Sequence, residues 1–327
     1  MMKFLIIGLG SMGKRRIRNL RSLGYSEISG FDIREDRRKE AENLFGINTV
    51  SDLEPLSDFD SVIISTSPDM HTKYIRAAIE KGKPCFVELS LLIQELPELD
   101  RLARLKGVLI APSCTFRFRP AIKRIKDLVE SRTYGKITNF TYHSGQYLPD
   151  WHPWENVKDF FVSKKETSGC KEILSFELRW MTDVMGSPED IFSCRGKTAG
   201  FDIDIDDTYA VSMKFNGHLG VILIDLVSRF ATRSLILNLE KAQIRWNCED
   251  NAVRLYDAEN KEWTGYREVG AEAVTGCNSD ITGNMYIEEM RAFVEAVKGV
   301  KPFPITLGED IEILHIVERA DADVRWR

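Results

Sequence analysis

Phe4-Leu5-Ile6-Ile7-Gly8-Leu9-Gly10-Ser11-Met12-Gly13 decides how the first part of the chain folds. It is a short apolar run, then three glycines spaced G-x-G-x-x-G, then a helix-like segment. Gly8 allows the tight turn out of a strand, Gly10 the close approach of backbone to a pyrophosphate, and Gly13 the packing of helix on strand. Ser11 and Met12 open the helix, whose N-terminal N–H groups and dipole favour negative charge. A glycine-rich turn with no ligand has the same letters, so the setting must decide. Gly13, Ile17, Leu20 and Leu23-Gly24 repeat with helical spacing and end on a glycine. A second short strand, Ile28 to Phe31, ends in Asp32, about twenty residues past the last glycine, where a dinucleotide site places an acid on the adenosine ribose. Arg34 pulls the other way, since an arginine there accommodates a 2′-phosphate that Asp32 repels. NAD is therefore the expected cofactor and NADP the alternative.

Beyond this unit, residues 35–45 form a charged helical pattern, and Ser61-Val62-Ile63-Ile64-Ser65 is a strand without alternation, as a sheet covered on both faces requires. Thr66-Ser67-Pro68-Asp69-Met70-His71 follows, then a helix through Ile75, Ala78 and Ile79 to Gly82. A strand at Pro84 to Glu88, a helix from about Pro97 to Lys106 and a strand at Val108 to Pro112 complete the series. Strand and helix alternate throughout, which makes a doubly wound parallel sheet the economical fold. Ligands bind such sheets beyond the carboxyl ends of the strands, where Gly8 to Gly13, Asp32, Thr66 to His71 and Glu88 all fall.

The 327 residues suffice for two domains, and 43% hydrophobic with 29% charged residues is the composition of a soluble globular protein. A net charge of −5 with no sustained basic run argues against nucleic acid as a partner. The densest basic patches, Lys14-Arg15-Arg16 with Arg18 and Arg37-Arg38-Lys39, flank the proposed nucleotide site; clusters of this kind are ordinarily solvated helix faces. Six cysteines without C-x-x-C spacing suggest neither a zinc site nor a disulfide framework, and so a cytoplasmic protein with reduced thiols and no metal. The N-terminal apolar run is too short for a signal peptide or a membrane span.

The order GLGSMG, strand, TSPDMH, helix, GK, strand, Glu resembles the glucose-fructose oxidoreductase and inositol dehydrogenase family (Gfo/Idh/MocA). The resemblance implies that Thr66, Ser67 and Pro68 line the nicotinamide side, that His71 opens the next helix beside them, and that Glu88 lies near the nicotinamide ribose. A helix-capping or core histidine is the plainer reading of His71. The family usually continues Glu-Lys-Pro, with the lysine near the reacting carbon; here Glu88-Leu89-Ser90 stands instead. A positioned acid or base contributes about 10²–10⁴ in rate, and leucine is neither. The family's second signature, G-G-x-x-x-D-x-x-x-H followed by an acid, corresponds to residues 168–180. Phe176 stands where the histidine is expected and Arg179 where the later acid is, with Glu172 as the stand-in for the aspartate. Lys171 and Glu172 are the candidate replacement acid/base pair; a solvent-facing pair is the alternative, since adjacent helix residues point about 100° apart.

Arg117-Phe118-Arg119-Pro120 resembles the family's Arg-Phe-x-Pro junction, which sets domains at 1–118 and 119–327 and makes Arg117 a substrate-side candidate. In the second domain a helix carries Ala121-Ile122, Ile125 and Leu128-Val129 on its buried face, and Ile137 to Tyr147 has strand character. Runs at Val211 to Phe215, Val221 to Val227, Leu235 to Leu239 and Ile244 to Trp246, joined by turns such as Asn216-Gly217, imply a mostly antiparallel sheet with helices on one face. Two helices, Met285 to Lys298 and Ile311 to Ala322, close the chain. The aromatic-polar segment Tyr147 to Glu155 suits a sugar ring, with its C–H patches and hydroxyl edges. Tyr147, Trp151, His152 and Trp154 are its candidates, against the alternative of a loop anchored by buried tryptophans. His143 and His152 are further candidate proton carriers. The resemblance implies a homo-oligomer and an oxidoreductase acting on a sugar or sugar derivative by hydride transfer. The missing groups leave two rivals: a non-catalytic cofactor-binding or sensor protein, and an enzyme using bound NAD transiently for elimination or glycoside cleavage.

Overall fold

The computed structural model describes residues 2–151, 156–250, 252–268, 283–322 and 324–325. The chain forms two compact units, Met1–Thr115 with Asn284–Glu312 and Phe116–Gly283 with Ile313–Arg327.

The first unit is built on six short strands, β1 (Phe4–Ile7), β2 (Ile28–Phe31), β3 (Asn48–Val50), β4 (Ser61–Ile64), β5 (Cys85–Val87) and β6 (Ile110–Pro112). They pair in the order β3-β2-β1-β4-β5-β6, all parallel. All four residues of β1 are buried, as the central strand of a sheet covered on both faces must be. Helices α1 (Ser11–Ser22), α2 (Glu35–Phe45), α3 (His71–Glu80) and α4 (Leu96–Lys106) make the crossovers. The order turns back at β1 and β4, and the loop Gly8 to Gly10 leaves β1 at that switch point, the usual ligand crevice of open parallel sheets.

In the second unit α5 (Pro120–Glu130) precedes the long strand β7 (Ile137–Tyr147), and α6 (Gly169–Met185) separates it from β8 (Asp190–Gly196), β9 (Thr208–Phe215), β10 (His218–Asp225), β11 (Val227–Leu239), β12 (Ala242–Asn247), β13 (Ala252–Asp257) and β14 (Glu262–Arg267). Later in the chain come α7 (Gly283–Val297), which falls almost wholly in the first unit, and α8 (Leu307–Ala322), which is divided between the two, while β15 (Val324–Arg325) pairs with β8. The sheet runs β14-β13-β12-β11-β7-β10-β9-β8-β15, antiparallel except for β7 with β10 and β8 with β15. The expected Val221–Val227 strand divides at Leu226, because Asp225 turns the chain by accepting the N–H groups of Val227 and Ser228. One face packs on helices; the other presents Phe192, Val221 and Ile236, which share a cross-strand row with Ser212 and Thr141.

No helix among the described residues is long and apolar enough to cross a membrane, and no group of three or more His, Cys, Asp or Glu side chains among them could hold a metal. The five described cysteines are all free thiols.

Candidate functional site

Sterics dictate the glycine loop. Gly8 has φ +93°, a left-handed conformation that a side chain disfavours, and a Cβ there would lie 2.5 Å from the Ser65 carbonyl oxygen. A Cβ on Gly13 would collide with the Gly8 carbonyl, so α1 seats directly on the turn. Gly10 differs: among the described residues beyond its chain neighbours, the nearest atom to its Cβ position is the Arg37 Nη1 at 3.7 Å, so they leave that space open. Gly10 is the N-cap of α1, makes no side-chain cap, and is followed by no acid in the first turn, which leaves the positive helix end unneutralised. This cradle fits a dinucleotide pyrophosphate.

Asp32 is buried just beyond β2 and anchors the loop from the other side. Its Oδ2 accepts the Leu9 N–H at 2.8 Å and its Oδ1 accepts the Arg34 N–H at 3.0 Å, leaving lone pairs for ribose hydroxyls. The side chain of Arg34 turns to Asp36 on the exposed surface. Arg37 is the cation facing the acid, 3.7 Å from Asp32 Oδ2, and Arg38 donates to the Asp32 carbonyl at 2.6 Å.

His71 is buried and uses both ring nitrogens, Nε2 on the Thr66 carbonyl at 3.0 Å and Nδ1 on the Ser90 hydroxyl at 3.1 Å. It fixes the Thr66-Ser67-Pro68 turn against the segment that stands where the family lysine is expected. Glu88 is held bidentately by Arg16, at 2.6 and 3.0 Å, and Arg16 also meets Glu289 of α7 at 2.9 Å. Burial works against the Arg16 charge, yet the two glutamates overcome it and raise its pKa. Burial pushes Glu289 up against the pull of Arg16; it also accepts the Cys114 N–H and the Ser113 and Thr115 hydroxyls. Arg16, read in the sequence as part of a solvated basic patch, is fully buried beneath the site.

In the second unit Lys171 pairs with Asp321 at 2.7 Å. Its neighbour Glu172 is half-buried, with Oε2 sealed from solvent and without a hydrogen-bond partner, and burial pushes its carboxyl up to about 8. Phe176 packs edge-on against Phe116 at 4.6 Å. Arg117 donates to the Arg179 carbonyl at 2.7 Å, and Tyr147 carries the Arg229 guanidinium 3.8 Å above its ring. Trp151 approaches Gly169, and its buried Nε1 has no hydrogen-bond partner. His152 and Trp154 lie outside the described residues. His143 bonds Asp225 at 2.6 Å; burial opposes the charge of Asp225, but the bonds from His143 and Ser228 hold it below the usual carboxylate range.

Sequence reasoning missed the polar centre of this unit, Glu177. It accepts Tyr142 Oη at 2.7 Å, Ser144 Oγ at 3.0 Å, Trp180 Nε1 at 2.7 Å and Arg233 Nε at 2.7 Å. The signal was a charge inside an apolar helical stripe, Ile173, Leu174, Glu177, Leu178 and Met181.

Residues 2–113 match the model of the oxidoreductase family with an NAD-binding Rossmann fold, GFO_IDH_MocA. This part of the chain is similar to that family's Rossmann domain. A myo-inositol 2-dehydrogenase of Thermotoga maritima is 23% identical over 94% of this chain and 92% of its own length. Solved structures share the fold over nearly the whole chain. An Agrobacterium radiobacter oxidoreductase solved with NAD+, L-tartaric acid and magnesium superposes with a TM-score of 0.85 at 13% identity, covering 97% of this chain and 94% of that one. A levoglucosan dehydrogenase solved with NADH and levoglucosan does so at 0.83 and 16%, covering 98% and 96%. At these identities the superpositions show the fold alone.

Proposed function

We propose that the protein is an NAD-dependent oxidoreductase that transfers hydride between the nicotinamide and a carbon of a sugar or sugar derivative, NADP being the less favoured cofactor. The observation that carries this is the vacant space over Gly10 at the uncapped start of α1, beside a buried Asp32 that still has acceptor capacity. Relatives named for inositol and levoglucosan support a polyhydroxylated substrate. Thr66, Ser67, Pro68 and His71 are assigned to the nicotinamide side, and Arg117, Tyr147 and Trp151 to the substrate. Glu88 serves through Arg16, positioning the start of the glycine-loop helix. The exposed apolar row of the second sheet supports a homo-oligomer, and the free thiols support a cytoplasmic setting.

An alcohol that loses hydride must also lose a proton. Of the two candidate groups, Lys171 is committed to Asp321, whereas Glu172 has a carboxyl raised into the range useful for proton transfer at neutral pH. Glu172 is therefore the proposed acid/base. Turnover of polyols and sugars, followed by nicotinamide absorbance, tests the reading. Glu172→Gln lowers kcat by about 10²–10⁴ and removes the pH-rate limb near 8, while Lys171→Gln keeps that limb. An active protein indifferent to the Glu172 change would falsify the assignment. A second reading, a cofactor-binding protein without turnover, is favoured by one feature: Leu89 replaces the lysine and the adjoining Ser90 is tied to His71. Tight dinucleotide binding with no turnover on any polyol distinguishes it.

A further inference from the structure

At the start of α6 the second unit encloses a small cavity of about 150 Å³, lined by Lys165, Ser168, Arg195, Asp206, Tyr209 and Asp321 among others. None of these residues belongs to the cofactor or substrate assignments above. The acids around it are already matched by cations. Arg195 pairs with Asp206, Lys171 with Asp321 at 2.7 Å, and Lys165 with Asp204 at 2.6 Å, while the Tyr209 hydroxyl donates to Asp321 at 2.6 Å.

What lacks a partner is a set of donors. Ser168 is 2% exposed, and its Oγ has no hydrogen-bond partner. It is the N-cap of α6, where a serine ordinarily caps the helix, yet its side chain makes no cap bond. The buried Nε of Arg195 likewise has no hydrogen-bond acceptor, Asp321 Oδ1 lying 3.7 Å away. Because Ser168 lines the cavity, the N-terminus of this 17-residue helix, the positive end of its dipole, stands at the cavity wall, with Glu172 in its first turn. Buried donors without acceptors are destabilising, so the cavity is complementary to a group that brings acceptors and negative charge.

We propose that this cavity is a binding site for a small oxyanion, a carboxylate or phosphate group, held by the Ser168 hydroxyl, Arg195 Nε and the N-terminus of α6, with Lys165 at its edge. Its occupancy is independent of the dinucleotide. Calorimetric titration of the full chain with inorganic phosphate and, separately, acetate tests it, with Ser168→Ala and Lys165→Gln as variants. The first removes a hydroxyl that bonds nothing in the folded chain; the second changes an exposed side chain, so neither disturbs folding. Saturable binding of one anion per chain is expected, weakened about tenfold in Ser168→Ala and about threefold in Lys165→Gln. The tighter of the two anions identifies the class. Absence of saturable binding by both overturns the proposal. So does equal binding to the original chain and Ser168→Ala, which would place the anion at the glycine loop or on the surface.

Discussion

At the scale of single residues, the proposed function assigns the choice of dinucleotide to Asp32 and Arg37. On that reading the acid would accept ribose hydroxyls and repel a 2′-phosphate, and Arg37, 3.7 Å from Asp32, is the cation that a phosphate would meet once the acid is gone. Asp32→Ser is expected to move the ratio of NADPH to NADH affinity by about 10–100-fold toward NADPH, as charge-assisted bonds of this kind warrant. An unchanged ratio in binding titrations removes Asp32 from the ribose. Glu172 makes a prediction about pH. Its carboxyl titrates near 8 when folded, against an ordinary value of 4.5, so the folded chain binds the proton more tightly than the unfolded chain. Stability therefore falls as pH rises from about 4.5 to 8, by at most about 5 kcal/mol. Thermal melts of Glu172→Gln over that window should show a flatter slope; an identical slope means the carboxyl is not desolvated. Asp32 was legible in the sequence from spacing alone. Arg37 was not, because spacing does not say which of three neighbouring basic side chains turns inward.

At the scale of elements, α1, α6 and α7 each carry a charge inside their apolar stripe. Arg16 lies with Gly13, Ile17 and Leu20 on α1, Glu177 with Leu174 and Leu178 on α6, and Glu289 with Met285, Tyr286 and Phe293 on α7. Each is buried, and each is satisfied by partners distant in sequence. That is why the sequence marked the position but not the partner: helical periodicity reports which face is inward, while Arg233 for Glu177 and Glu88 for Arg16 depend on strand register. Removing one partner of a buried pair leaves an uncompensated charge. Glu177→Gln, which strands Arg233, should lower the stability of the fold by about 3–5 kcal/mol in denaturant titrations. A loss below about 1 kcal/mol contradicts the role of Glu177 as the polar centre of the second unit. Five strands of the first sheet were readable as short apolar runs between helices; β3, the polar and partly exposed Asn48-Thr49-Val50, was not. The second sheet was partly readable: β8, β13 and β14, in which charged and polar residues interrupt the apolar ones, are not among the strands expected from the sequence.

At the scale of the whole molecule, the open face of the nine-stranded sheet presents Leu219, Val221 and Leu223 at 61%, 46% and 36% exposure, beside Phe192 and Ile236. The proposed homo-oligomer would place the contact between copies of the chain on this row. Val221→Glu is expected to reduce the assembly to monomers in sedimentation velocity, whereas an unchanged sedimentation coefficient locates any contact elsewhere. The same fold hosts many chemistries, so the decisive matter is whether the glycine cradle takes its dinucleotide. Calorimetric titration with NADH and NADPH, after unfolding a sample to release any cofactor that co-purified, measures this directly. The account predicts one dinucleotide per chain, with NADH the tighter. No binding of either, with no cofactor released, contradicts it and leaves the Rossmann sheet as a scaffold for some other recognition.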